Sequence, residues 1–215
     1  MTAATTRAAF LGSRLALELI DPQSVNFVRL TQHTATGGDW DPPAEMYRNL
    51  RVDPPPGHKS AFSVLYMANT LACVAMECRV LQVDASDRYT WNRKAAEKYD
   101  VVRFGFSKPA IFLPIDGLNR DELGLGGSLQ PIGSYVPYQN VALQLHTHYG
   151  GVVHGMSWQS FHRGQPGRAY AIWHEHRGTI GLSRSVSGQN YPKLADDTEW
   201  QTYLANNPHI AELTP

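Results

Sequence analysis

The segment LYMANTLACVAMEC, residues 65–78, places Glu77 directly after a stretch, Ser60 to Met76, that carries no charge. A buried carboxylate is costly unless it is paired or hydrogen-bonded, so Glu77 needs either a structural partner such as Arg79 or a functional one. On helical spacing Glu77 shares a face with Thr70, Cys73 and Val74, and the strand that leads into this helix delivers Tyr66. A carboxylate can stabilise an oxocarbenium-like ribose cation or orient a nucleophile through its hydroxyl, and an aromatic ring offers a stacking face to a flat base. The pair therefore points to sugar or nucleotide chemistry. In VVHGMSWQSFHRG, residues 152–164, a strand pattern breaks at Ser160 before a turn containing Gly and Arg. Hydroxyls and cations grouped at a strand end can hold phosphate. The ordinary alternatives are an acid at the surface end of its helix and a strand-terminal hydroxyl.

The elements that position these residues follow from pattern and punctuation. Ser63 to Ala68 suits a strand, and Asn69 offers an N-cap to a helix predicted through Leu81. Thr31 to Pro56 is rich in Gly and Pro and isolates Met46-Tyr47-Arg48 as a short strand. Val101–Phe106, Ala110–Ile115, Val152–Ser160 and Arg168–His174 read as strands, and Thr179–Ser183 as a further one. A helix is predicted from Pro137 to Tyr149, stopped by Gly150-Gly151. Residues 6–20 suggest an N-terminal helix and 196–213 a terminal one. Without repeats or low-complexity segments, a single α+β domain is the economical architecture.

Composition narrows the functions. The 215 residues carry 19 Lys and Arg against 19 Asp and Glu, which disfavours a phosphate-backbone binder. The apolar run at 60–76 is too short and too polar to span a bilayer, and Arg7, Ser13, Arg14 and Glu18 interrupt any signal-like core, so a cytoplasmic location is expected. Cys73 and Cys78 are too few for a disulfide scaffold or a zinc site and read as small buried hydrophobes. His146, His148, His154 and the His174-Glu175-His176 triplet lack a recognisable third ligand at metal spacing, so no metal is expected. There is no Gly-x-Ser-x-Gly elbow, and GLGGS at 124–128 lacks the features of a phosphate loop. Trp158 and Trp173 read as core.

Tyr66 and Glu77 in LYMANTLACVAME, the segment YVPYQNVALQLHTHYGGVVHGMSWQS at 135–160 and RAYAIW at 168–173 resemble the RES domain, found in toxins of bacterial toxin–antitoxin pairs. The resemblance spans roughly residues 45–183, leaving 1–44 as an N-terminal extension and 184–215 as a C-terminal one. It implies an α+β fold akin to ADP-ribosyltransferases, with mixed sheets and flanking helices, and NAD as substrate, cleaved at the nicotinamide–ribose bond. By carry-over Glu77 is the catalytic acid group, Tyr66 a cleft aromatic, Ser160 a substrate-contacting hydroxyl and Arg48 a phosphate binder. Tyr138 would shape the nicotinamide end and Gln139 would orient the substrate. Where the family has a Gly-Arg-aromatic stretch this chain reads GHKSAFSVLY, so Lys59, His58 or Arg51 must supply the second cation. Lysine neutralises phosphate without arginine's bidentate fork. ADP-ribose would pass to phosphate or water; the alternatives are transfer to a protein and a binding module without turnover. The implied partner is an antitoxin with a DNA-binding domain that plugs the cleft, and a homo-oligomer is compatible with the sequence.

Overall fold

The computed structural model describes residues 15–32, 38–84, 86–125, 134–160, 167–185 and 191–213. In chain order its elements are β1 (Glu18–Ile20), β2 (Phe27–Thr31), β3 (Val64–Ala68), α1 (Leu71–Glu77), β4 (Leu81–Val83), β5 (Tyr89–Trp91), α2 (Arg93–Ala96) and β6 (Asp100–Gly105). They continue with β7 (Ala110–Pro114), α3 (Asn119–Glu122), α4 (Val136–Tyr149), β8 (Gly155–Gln159), β9 (Arg168–Trp173), β10 (Ser183–Arg184), α5 (Thr198–Asn206) and β11 (Ala211–Glu212). This is a mixed α+β domain. An eight-stranded sheet runs in the order β1-β7-β8-β9-β3-β2-β6-β10, with β7 and β8 its parallel pair, and a small sheet runs β11-β5-β4.

Both faces of the large sheet are apolar, and the period of two along each strand assigns residues to one face or the other. On β3, Val64, Tyr66 and Ala68 face the helices while Leu65 and Met67 face the opposite cluster around Phe27, Phe104 and Phe112. On β9, Ala169, Ala171 and Trp173 share the helix side, and Tyr170 and Ile172 the other. Trp158 and Trp173 are core residues, as expected.

The sheet is two well-paired groups held together by little. β3 and β9 match five residue pairs, as do β2 and β6, but β2 and β3 share only Val28↔Ala68. Beyond that pair the strands part, and a cleft opens between them.

Helix α1 is shorter than the sequence suggests. Its N-cap is Thr70 rather than Asn69: the Thr70 hydroxyl accepts from the Cys73 amide at 3.1 Å, while Asn69 Oδ1 accepts from the Arg168 amide. It stops at Glu77 because Arg79 adopts a left-handed conformation, φ 58°. The amides of Arg79 and Val80 then reach back to the carbonyls of Met76 and Ala75, a Schellman stop usually built on Gly. Seven residues are too few for a helix to persist alone, and burial of Leu71 through Met76 supplies the stabilisation.

Other expectations change as well. The N-terminal segment is not peripheral: it contributes β1 and β2, and Glu18–Ile20 is a strand rather than the end of a helix, residues 6–14 lying outside the described residues. Met46-Tyr47 belongs to a 3-10 turn, Glu45–Tyr47, instead of a strand. His174–His176 forms another such turn, and of the strand expected over 179–183 only Ser183 is in a strand, at the start of β10. Among the described residues, no helix is long and apolar enough to cross a membrane.

Candidate functional site

The parted strands β2 and β3 wall a cavity of about 600 Å³. Arg29 and Leu30 come from one wall and Val64, Tyr66 and Met67 from the other; Glu77, Cys78, Arg79, Arg51, Asp53 and Tyr135 belong to the same lining. Each polar group has a definable anchor.

Glu77 ends α1 at the cleft edge, and Ser160, one residue past β8, donates its hydroxyl to Glu77 Oε1 at 2.8 Å. The two residues are 83 apart in sequence, and the sheet brings them together. Beneath them the thiol of Cys73 is pushed up to about 12, first by burial and then by the Glu77 charge, so it remains a neutral packing group. Cys78, also held up to about 12 by burial, is equally inert.

Tyr66 lines the β3 wall with its ring edge-on to Trp158, centroids 6.3 Å apart. Its hydroxyl accepts from the Val52 amide at 3.2 Å and bonds the Asp53 carboxyl. Burial, followed by the Asp53 charge, raises the phenol well above its ordinary value, so it stays protonated and presents a neutral face. Asp53 is itself raised, chiefly by burial, and accepts from the Leu50 amide at 2.7 Å. These contacts fix the 50–53 segment to Tyr66 of the β3 wall.

That segment carries Arg51. Its guanidinium lies 5.4 Å from the ring centroids of both Tyr135 and Tyr138, at the start of α4, and it is almost fully buried. Burial lowers its pKa while the Glu77 charge acts in the opposite direction. Gln139 Nε2 donates to Leu50 O at 2.9 Å and so braces the same loop. Arg29, across the split, donates from Nη1 to the Tyr66 carbonyl at 3.0 Å, satisfying backbone that β2 would otherwise pair.

The structure thus brings together Glu77, Ser160 and Tyr66, with Tyr138 and Gln139 supporting Arg51 from behind the wall. It does not bring Arg48 or Lys59 there. Arg48 donates to the carbonyls of Pro43, Lys59 and Phe62, and Lys59 Nζ to those of Arg48 and Pro54. Both cations tie down loop backbone and neither lines the cavity. His58 is exposed and also absent from its lining. Of the candidates for the second cation, Arg51 is the one in the cleft. Sequence reasoning missed Arg29, Asp53 and Tyr135, and named Arg79 only as a structural partner for Glu77. A lone Arg in FVRLT gives no sign of facing a cleft, whereas Asp53 before three prolines marks a fixed loop that invited closer attention.

The arrangement can hold an anionic, partly aromatic ligand: guanidinium groups for phosphate, rings for stacking, and a rigid carboxylate beside them. Among the described residues, no group of three or more His, Cys, Asp or Glu could hold a metal ion.

Residues 17–193 match the RES domain family. No curated protein matches the chain. Among solved structures, the crystal structure of the M. tuberculosis MbcT-MbcA toxin-antitoxin complex contains a similar fold. It is 15% identical over 86% of this chain and 91% of that one, with a TM-score of 0.50.

Proposed function

Because the chain belongs to the RES domain family, we propose that it is the toxin of a toxin–antitoxin pair and that its cleft cleaves NAD+ at the nicotinamide–ribose bond. ADP-ribose passes to phosphate or water. The observation that carries this reading is the Glu77–Ser160 pair, 2.8 Å apart, at the edge of a cleft that also holds Arg29 and Arg51.

In this reading Arg51 and Arg29 neutralise the diphosphate, a task for which guanidinium is well shaped. The Tyr66 ring, backed by the buried Trp158, offers the nicotinamide an aromatic contact. Glu77 accepts hydrogen bonds from the ribose hydroxyls, and its charge stabilises the cationic ribose as the C–N bond breaks. Nicotinamide leaves with the bonding electron pair as a neutral molecule. A phosphate or water oxygen then forms the new bond to the ribose carbon and gives up its proton to Glu77 or solvent. Ser160 holds Glu77 in one rotamer throughout, so little reorganisation is needed.

A binding module without turnover would follow from a missing second arginine, but Arg51 supplies that cation, which supports catalysis. The toxin–antitoxin neighbour supports an antitoxin partner, here proposed to carry a DNA-binding domain, and a cytoplasmic location is proposed with it. Incubation of the purified chain with NAD+, with and without phosphate, tests the activity. Nicotinamide is expected together with ADP-ribose 1-phosphate or ADP-ribose; NAD+ binding with no nicotinamide released would overturn the enzyme reading.

A further inference from the structure

A second polar cluster lies away from the cavity lining. Asp116, just past β7, accepts from the Gln159 amide at 2.6 Å and from Arg168 Nη2 at 3.0 Å, and its side chain is only 11% exposed. Gln159 is the last residue of β8 and Arg168 the first of β9, and the two are register partners. The carboxylate therefore grips both feet of the β8–β9 connection. It does so where β7 has ended and backbone pairing for Gln159 has run out, so a side chain continues the ladder.

Arg168 extends the grip to the other half of the site. Its amide donates to Asn69 Oδ1 at 2.8 Å and its carbonyl accepts from the Asn69 amide at 3.1 Å, immediately before the Thr70 cap of α1. At Gly167 an added Cβ would lie 2.7 Å from Thr70 Oγ1 and 2.8 Å from Cys73 Cβ, so the chain passes hard against the first turn of that helix. On the opposite side the Arg168 guanidinium meets Glu18 at 3.3 Å, which also bonds Ser157 and Tyr170. Ser160 follows Gln159 directly, and Glu77 ends the helix whose Thr70 cap follows Asn69.

We infer that Asp116 and Arg168 are positioning residues that set the Glu77–Ser160 geometry: Asp116 fixes the strand end carrying Ser160, and the Arg168 backbone fixes the helix carrying Glu77. The inference rests on the NAD-cleavage reading for its effect on rate, but not for its effect on structure. A misplaced catalytic group can cost up to about 100-fold in rate. Asp116→Ala is accordingly expected to lower kcat for nicotinamide release about 10- to 100-fold, with KM for NAD+ changed less than about threefold.

A double-mutant cycle separates positioning from general damage. In a Ser160→Ala background, Asp116→Ala should lower kcat by less than about threefold, because the residue it positions is gone. Equal losses in both backgrounds would overturn the proposal. Asp116→Asn, which keeps an acceptor for Gln159 but no charge for Arg168, is expected to fall between wild type and alanine and guards against a variant that does not fold. The second readout needs no turnover: by NMR, the Gln159 amide should exchange at least about tenfold faster in Asp116→Ala, and less so in Asp116→Asn, with amides at the centre of α4 unchanged. Unchanged Gln159 exchange would sink the inference even for an active enzyme. An inactive wild type, together with accelerated Gln159 exchange in Asp116→Ala, would instead refute the NAD reading and leave the anchor standing.

Discussion

Strand β3 has two sides with opposite fates. Against β9 it is zipped over five pairs, Val64↔Trp173 to Ala68↔Ala169; against β2 it keeps one, Val28↔Ala68. On the closed side the backbone satisfies itself and the side chains make core. On the open side a carbonyl must be satisfied by a side chain, Arg29 on Tyr66 O, and the space gained becomes the cleft. The difference teaches that room for a ligand can be made by unpairing two strands rather than by inserting a loop. The cost is one long side chain placed where a backbone amide would otherwise serve.

The contrast can be broken in graded ways. The largest effect belongs to the open side: Glu77→Gln should lower kcat for nicotinamide release by about 1000-fold, with an unchanged circular-dichroism spectrum. Near-wild-type turnover would remove Glu77 from the chemistry. Arg51→Ala should raise KM for NAD+ about 10- to 100-fold with a smaller loss in kcat, because it removes charge-assisted phosphate contacts. Titrations at two salt concentrations check it, the wild type being the more salt-sensitive.

Gly155→Ala probes the seam next to the closed side, where β9 also pairs with β8. An added Cβ would sit 2.1 Å from the Ala171 carbonyl oxygen, a contact that only backbone movement can relieve. The expected loss is about 1–3 kcal/mol of stability, read from urea unfolding; an equally stable variant would mean that the β8–β9 seam is less tight than described. The smallest effect is reserved for Arg48→Ala. Removing a guanidinium that donates to three loop carbonyls should cost about 1 kcal/mol of stability while KM changes less than about twofold. A large rise in KM would return Arg48 to the binding machinery.

Arg48 and Arg51 also mark where sequence becomes illegible. Both lie in the same Pro-punctuated stretch, and three positions decide whether a guanidinium ties a loop or lines a cleft. Strand and helix periodicity assigns faces, which is why α4, β6 to β9 and the Tyr66-to-Glu77 unit could be read in advance. A loop has no period, so nothing in the sequence told these two arginines apart. Glu77 and Ser160 were visible because each stands at the end of a regular apolar element. β1 and β2 were not: LALELI fits a helix as readily as a strand, and its partner β7 lies some 90 residues on. The stop of α1 was missed because the left-handed position falls on Arg79, where Gly is the usual sign. Arg79 holds a conformation that costs a non-glycine residue about 1 kcal/mol.

The strand order has a consequence for the chain as it is made. β2, β3 and α1 leave the ribosome early, so both walls of the cleft and Glu77 exist in the nascent polypeptide well before β9, which secures β3, and before Ser160, which holds the acid. Pairings of such long range close late in folding. A ribosome-bound chain therefore carries the charged half of the cleft before the hydroxyl that holds Glu77 has been made.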